Sequence, residues 1–158
     1  MKRRMEQFLG AFFLLVASSL SFAATVSVHI NTGIIGVWKT IDESTGRPSS
    51  LIRFVERRGI FFGTLIKTFR QPGEKVARCT LCKGALRNRP VEGMQIIQGL
   101  RWNAENNRYE DGLVFDPRTA KTYRCRATLA QNGKVLEFRG YFGVSWLGET
   151  HEWLRYSR

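Results

Sequence analysis

The chain has 158 residues, 43% hydrophobic and 24% charged, an ordinary mixture for one globular domain. A solenoid, a multidomain enzyme and a low-complexity tail are excluded. Lys and Arg number 25 against 13 Asp and Glu, giving +12, and the cations are scattered along the chain instead of forming an arm built for nucleic acid.

Residues 1–23 read as a targeting segment, to be set aside before any fold argument. Lys2, Arg3 and Arg4 open it, an apolar stretch runs from Phe8 to Val16 and softens through Ala17 to Leu20, and Ser21-Phe22-Ala23 places small residues where a signal peptidase reads. Cleavage after Ala23 is expected, with delivery to the periplasm or the exterior. A membrane anchor needs about 20 apolar residues, and this run is shorter and broken by Ser18 and Ser19. Ala24, not cysteine, stands directly after the cut, which speaks against lipid attachment. Residues 24–158 remain as a single domain with net charge +10, because the leader removes three basic groups and one acidic group.

This domain shows no helical period. It shows short runs of alternating apolar and polar residues between Gly, Pro, Asn and Asp turns, and is expected to be almost entirely β. The runs are Gly33–Ile41, Ser49–Glu56, Ile60–Phe69, Gly93–Trp102, Arg108–Phe115, Lys121–Ala130, Lys134–Phe142 and Leu147–Tyr156. Short turns such as Arg57-Arg58-Gly59, Asn106-Asn107 and Asp116-Pro117 join most of them. A long loop from Arg70 to Glu92, rich in Gly, Pro and Arg, separates the third run from the fourth. Eight successive strands without crossover helices predict an antiparallel up-and-down meander, which removes its edges by closing into a barrel.

Alternation assigns the faces. In the sixth run Tyr123, Cys125, Ala127 and Leu129 share one side, and Thr122, Arg124, Arg126 and Thr128 the other. In the seventh, Leu136, Phe138 and Phe142 are expected inward, Glu137 and Arg139 outward, with Gly140 free to let the strand bend. An outer-membrane barrel would turn the arginines to lipid, at about 2–4 kcal/mol each, or else to a lumen with Phe138 and Phe142 facing lipid. The runs are short for spanning strands and the chain ends in Arg158, so a barrel outside the membrane is the preferred reading.

Several segments carry a family resemblance. Gly36-Val37-Trp38-Lys39-Thr40-Ile41-Asp42, Thr45-Gly46-Arg47-Pro48-Ser49, Cys79-Thr80-Leu81-Cys82-Lys83-Gly84, Asp116-Pro117, Lys121-Thr122-Tyr123, Arg139-Gly140-Tyr141-Phe142-Gly143 and Trp153-Leu154-Arg155 resemble, in order, the domain of unknown function 2147 family of bacterial exported proteins. The resemblance implies a lipocalin-like barrel with no established activity. It also implies that Trp38, of the Gly-x-Trp motif, lies at a closed barrel base with Arg155 across its indole. Ala120 departs from the pattern, which has Gly in the turn after Asp-Pro, and this bears on the shape of that turn.

Cys79 and Cys82 are open to several chemistries. Export makes a disulfide the default. A redox pair would sit at a helix N-terminus in an alternating strand and helix fold, which is absent here. Zinc needs about four ligands, and the domain offers Cys79, Cys82, Cys125, His29 and His151 as soft donors. Haem attachment would want His where Lys83 stands. In the default reading the disulfide stiffens the long loop and Cys125 is a small buried hydrophobe.

Catalysis has no constellation to recommend it. Neither His29 nor His151 has a local partner, and His151 alternates with Trp153, as a satisfied core histidine would. Asp42, Asp116 and Glu149 fall in or near turns, where turn chemistry accounts for Asp42 and Asp116. The expected activity is therefore binding of a small apolar or amphipathic molecule inside the barrel, at Trp38, Phe54, Tyr123, Phe138 and Trp153, without metal or cofactor. The alternative is a barrel filled by Trp38, Phe54, Phe61, Phe138, Phe142 and Trp153. It would act as a periplasmic interaction or stress-related module through its basic surface and Cys-containing loop, densest at Arg78, Lys83, Arg87 and Arg89, with an anionic envelope component as a partner.

Overall fold

A computed structural model describes residues 33–157. The expected leader, its cleavage site and His29 lie outside the described residues. Eight strands follow in order: β1 (Gly36–Ile41), β2 (Pro48–Arg57), β3 (Ile60–Thr68), β4 (Gln95–Asn103), β5 (Arg108–Asp116), β6 (Lys121–Ala130), β7 (Val135–Tyr141) and β8 (Gly148–Arg155). Each pairs antiparallel with the next, and β8 returns to β1, so the sheet is a closed up-and-down barrel. Apart from two single 3-10 turns, Gly84–Leu86 and Gln131–Gly133, the described residues contain no helix.

The strands form where alternation places apolar side chains on one face. Trp38, Ile52, Phe54, Leu65, Ile97, Leu100, Cys125, Ala127, Leu136, Phe138 and Trp153 are buried in one continuous core. Strict alternation breaks at irregularities in pairing. Leu51 and Ile52 are both buried where the β2–β3 register shifts, and Ile96 and Ile97 where the β3–β4 register does. Such bulges raise local twist and help a sheet curve closed. Between Tyr109 and Gly112 the β5–β6 register also shifts, and Asp111 has φ +62°.

The seventh run is shorter than its alternation suggests. Phe142, expected inward, lies beyond the end of β7 and is 75% exposed. The reason is local: the chain bends directly after Tyr141, with Gly143 at φ +70°, so the period of two has no strand left to act on. Arg139, expected to point to water, is half-buried and donates to the Ser145 carbonyl at 2.8 Å, the Trp146 carbonyl at 3.1 Å and Thr150 Oγ1 at 2.8 Å.

In an up-and-down barrel successive connections alternate between the two ends. The β1–β2, β3–β4, β5–β6 and β7–β8 connections therefore share one end, called here the mouth. The short β2–β3, β4–β5 and β6–β7 turns share the other, the base, with the segment leading into β1.

Candidate functional site

The base is closed by side chains. Trp38 and Arg155 are direct cross-strand neighbours in the two-residue seam where β8 meets β1. The Arg155 guanidinium lies 4.2 Å from the Trp38 ring centroid. It donates through Nε to the Gly133 carbonyl at 2.6 Å, through Nη1 to Ile35 at 3.0 Å and through Nη2 to Gly33 at 2.7 Å. Burial draws its pKa down, against the opposing influence of Tyr109. Ile34 is pinned from two sides: its carbonyl accepts from Trp38 Nε1 at 2.8 Å, and its N–H donates to the Tyr109 hydroxyl at 3.0 Å. Burial raises the Tyr109 pKa, partly offset by that N–H.

Above the base the interior is packed. Phe138 stacks on Trp153 with centroids 4.3 Å apart and planes 13° from parallel, and Phe54 reaches Trp153 at 6.3 Å. Trp38 and Phe54 are fully enclosed. A Cβ added at Gly63 would come within 2.9 Å of Ile97 Cδ1, and one at Gly112 within 2.6 Å of Leu100 Cγ and 2.8 Å of Cys125 Sγ. Real Cβ atoms do not approach so closely, so the interior is full there. The thiol of Cys125, wholly buried, is pushed up to about 12 by desolvation.

Toward the mouth this changes. The cross-strand row Gly112, Cys125, Gly140, Glu149 climbs from the packed core to an exposed carboxylate. A Cβ at Gly140 would meet Val114 Cγ1 at 3.8 Å, ordinary contact. Tyr123, half-buried, is the cross-strand partner of Val114. His151, next to Phe138 across the β7–β8 pair, is not the core histidine its alternation suggested: its side chain is 37% exposed. Its Nδ1 is 2.6 Å from Glu43 Oε1 and its Nε2 is 3.7 Å from Glu149. Glu43 comes from the β1–β2 turn, 108 residues away in sequence, and no local signal announces the pair.

The long β3–β4 loop is folded over part of this end. The disulfide Cys79–Cys82 is buried, and Cys79, Cys82 and Val91 join the core. Cys79 Sγ, which has no proton to donate once bonded to sulfur, rests 3.1 Å from the Pro117 carbonyl in the β5–β6 turn. Backbone bonds between Cys79 and Arg89, Asn88 and Cys79, and Val91 and Ala77 tie the loop together. Glu92 anchors it by accepting from the Thr68 N–H at 2.8 Å and hydroxyl at 2.6 Å, and these bonds hold its carboxyl below the usual range. The loop thus spends its cysteines on structure, and Arg78, Lys83, Arg87 and Arg89 remain exposed on its outer side.

The turn carboxylates act locally. Asp42 accepts from Ser44 and Thr45, which lowers its pKa. Burial pushes Asp116 up, but its bonds from Arg118 and Thr119 outweigh this and leave it lowered. Among the described residues no three His, Cys, Asp or Glu side chains gather into a metal-binding group.

A closed eight-stranded antiparallel barrel, with a first-strand Gly-x-Trp packed under an arginine from the last strand, defines a lipocalin-like barrel. The chain belongs to the DUF2147 family, described as an uncharacterized protein conserved in bacteria, whose pattern matches residues 36–155. Among solved structures it is similar to protein HP1028 of Helicobacter pylori, described as belonging to the lipocalin family. The TM-score is 0.67 and the identity 26%, over 79% of this chain and 84% of that one. No curated protein matches the sequence.

Proposed function

We propose that the chain is an exported, lipocalin-type binding protein that holds a small amphipathic molecule at the mouth of its barrel. The apolar part of the ligand rests above Phe138 and Trp153, beside Val114 and Tyr123, and its polar part lies near His151 and Glu43. One contrast carries the reading: the interior has no room for a methyl group at Gly63 or Gly112 but accepts one at Gly140. The site is therefore shallow. In this assignment Trp38 and Phe54 fill the barrel beneath it and do not touch the ligand.

Binding, with no reaction attached, suits a mouth whose histidine is engaged by surface carboxylates. Export, to the periplasm or beyond, is supported by the buried disulfide, which oxidising compartments favour, and by the leader read in residues 1–23. The barrel is read as lying outside the lipid core because charged residues sit between buried ones on its strands. Arg53, Arg101, Arg124, Glu137 and Glu152 are all exposed.

Titration with N-phenyl-1-naphthylamine, an apolar fluorescent probe, tests the site. Saturable binding is expected in the native chain, and Gly140→Leu, which adds bulk beside Val114 at the proposed site, is expected to abolish it without lowering the urea midpoint. Equal binding by the variant, or none by the native chain, would reject the mouth site.

A further inference from the structure

A second feature of the mouth is unrelated to its interior. The β7–β8 loop, residues 142–147, presents Phe142 and Trp146, each 75% exposed, together with Leu147 at 53% and Val144 at 47%. The loop has a defined shape. Arg139 grips it through the Ser145 and Trp146 carbonyls, Phe142 N–H donates to the Leu147 carbonyl at 3.2 Å, and Leu147 N–H to Val144 at 3.0 Å. A buttressed turn that holds two aromatic rings in water is what an interaction site looks like, since a monomer gains nothing from such exposure.

One loop at the same end is strongly basic. The β3–β4 loop carries Arg70, Lys75, Arg78, Lys83, Arg87 and Arg89, all exposed, against Glu74 and Glu92. Both carboxylates are already engaged, by the Gln71 N–H and by Thr68. Among the cations Leu81 and Leu86 are exposed as well. The base presents less: its connections Arg58-Gly59, Ala104–Asn107 and Gln131–Lys134 contain no aromatic residue, and the rings beside them, Trp102 at 46% and Tyr156 at 38%, are less exposed than Phe142 and Trp146.

We propose that the mouth end docks on an anionic lipid bilayer, with Phe142 and Trp146 entering the headgroup region and the β3–β4 loop cations lying on the lipid phosphates. Aromatic rings, Trp above all, favour the bilayer interface because they present an apolar body and a polar edge. Clustered Lys and Arg are drawn to an anionic leaflet and held within a Debye length of it. Apolar anchor and positive field together give stable attachment where either alone is marginal. A soluble polyanion would use the cations and leave the rings in water, and an apolar protein groove would use the rings and leave the cations unmatched. The bilayer is the partner that uses both.

The test is co-flotation of the exported chain with vesicles of phosphatidylglycerol and phosphatidylcholine in equal parts, beside vesicles of phosphatidylcholine alone. Binding is expected to the anionic vesicles, with roughly tenfold loss in Phe142→Ser/Trp146→Ser and a comparable loss in Lys83→Gln/Arg87→Gln. All four positions are exposed, so unchanged urea midpoints will show that the variants fold. Brominated acyl chains are expected to quench the native chain and spare a Trp146→Phe variant. Equal flotation of native chain and aromatic variant, equal binding to neutral vesicles, or an aromatic-dependent dimer in ultracentrifugation without flotation would each overturn the proposal.

Discussion

Replacing Arg155 by Met keeps the stem of the side chain and removes the guanidinium that ties the barrel base. Three hydrogen bonds to the carbonyls of Gly33, Ile35 and Gly133 are lost, together with the stack on Trp38 at 4.2 Å. The three carbonyls lie near the rim of the base and regain water, so each bond counts at its net value of about 1 kcal/mol. The cation over a partly desolvated indole adds about 1 kcal/mol. The expected loss is therefore about 4 kcal/mol, or a fall in melting temperature of roughly 10–20 °C for a domain of this size. Arg155→Lys separates the parts, because an ammonium can stay over the ring but cannot reach three carbonyls from one fork. It is expected to lose about 2 kcal/mol. Urea unfolding followed by tryptophan fluorescence measures both, and the losses should persist in high salt because the partners are carbonyls and not charges. If Arg155→Met lies within about 1 kcal/mol of the native chain, the closure of the base does not depend on this residue.

Three further outcomes are expected. Ala120 occupies φ +55°, a conformation that suits Gly, so Ala120→Gly relieves about 1–2 kcal/mol of left-handed strain. The half-buried methyl and the entropy of Gly take part of this back, leaving a gain of about 0.5 kcal/mol, and an unchanged or lower urea midpoint would contradict it. Cys125, with its thiol pushed up to about 12, should resist alkylation by iodoacetamide at neutral pH in the folded chain and react in urea, as intact-mass spectrometry will show. Asp42, Glu92, Glu110 and Asp116 are all held below their ordinary values in the fold. Their stabilisation is complete above the unfolded carboxylate range and is lost as pH falls through it and toward their lower folded values. The urea midpoint should drop below about pH 4.5, less steeply in Asp116→Asn; a flat profile down to pH 3 would be inconsistent with these bonds.

Much of the fold is legible in the chain because strand and turn signals are local. Alternation places Cys125, Ala127, Leu136 and Phe138 inside without any knowledge of their partners, and the turn chemistry of Asn106-Asn107 and Asp116-Pro117 separates consecutive strands. A meander pairs neighbours in sequence, so its order follows from strand count alone. The Gly-x-Trp motif and the C-terminal Arg155 are readable in the same way, as a family pattern. Phe142 is the exception: alternation carries no information about where a strand stops, and the bend at Gly143 turns an expected core ring into an exposed one.

What tertiary structure alone decides is what happens between segments distant in sequence. His151 meets Glu43 because closure of the sheet brings the β1–β2 turn to β8, and Cys79 meets Pro117 because the long loop folds back over β5 and β6. Whether the barrel is filled or open is a sum over facing side chains from all eight strands. Gly63, Gly112 and Gly140 are identical in sequence terms, yet an added Cβ would clash at the first two and would make only ordinary contact at the third. Residue type and periodicity set which side chains point inward. Volume left over is a property of the closed sheet, since it depends on the register and bulges that bring those side chains to one level.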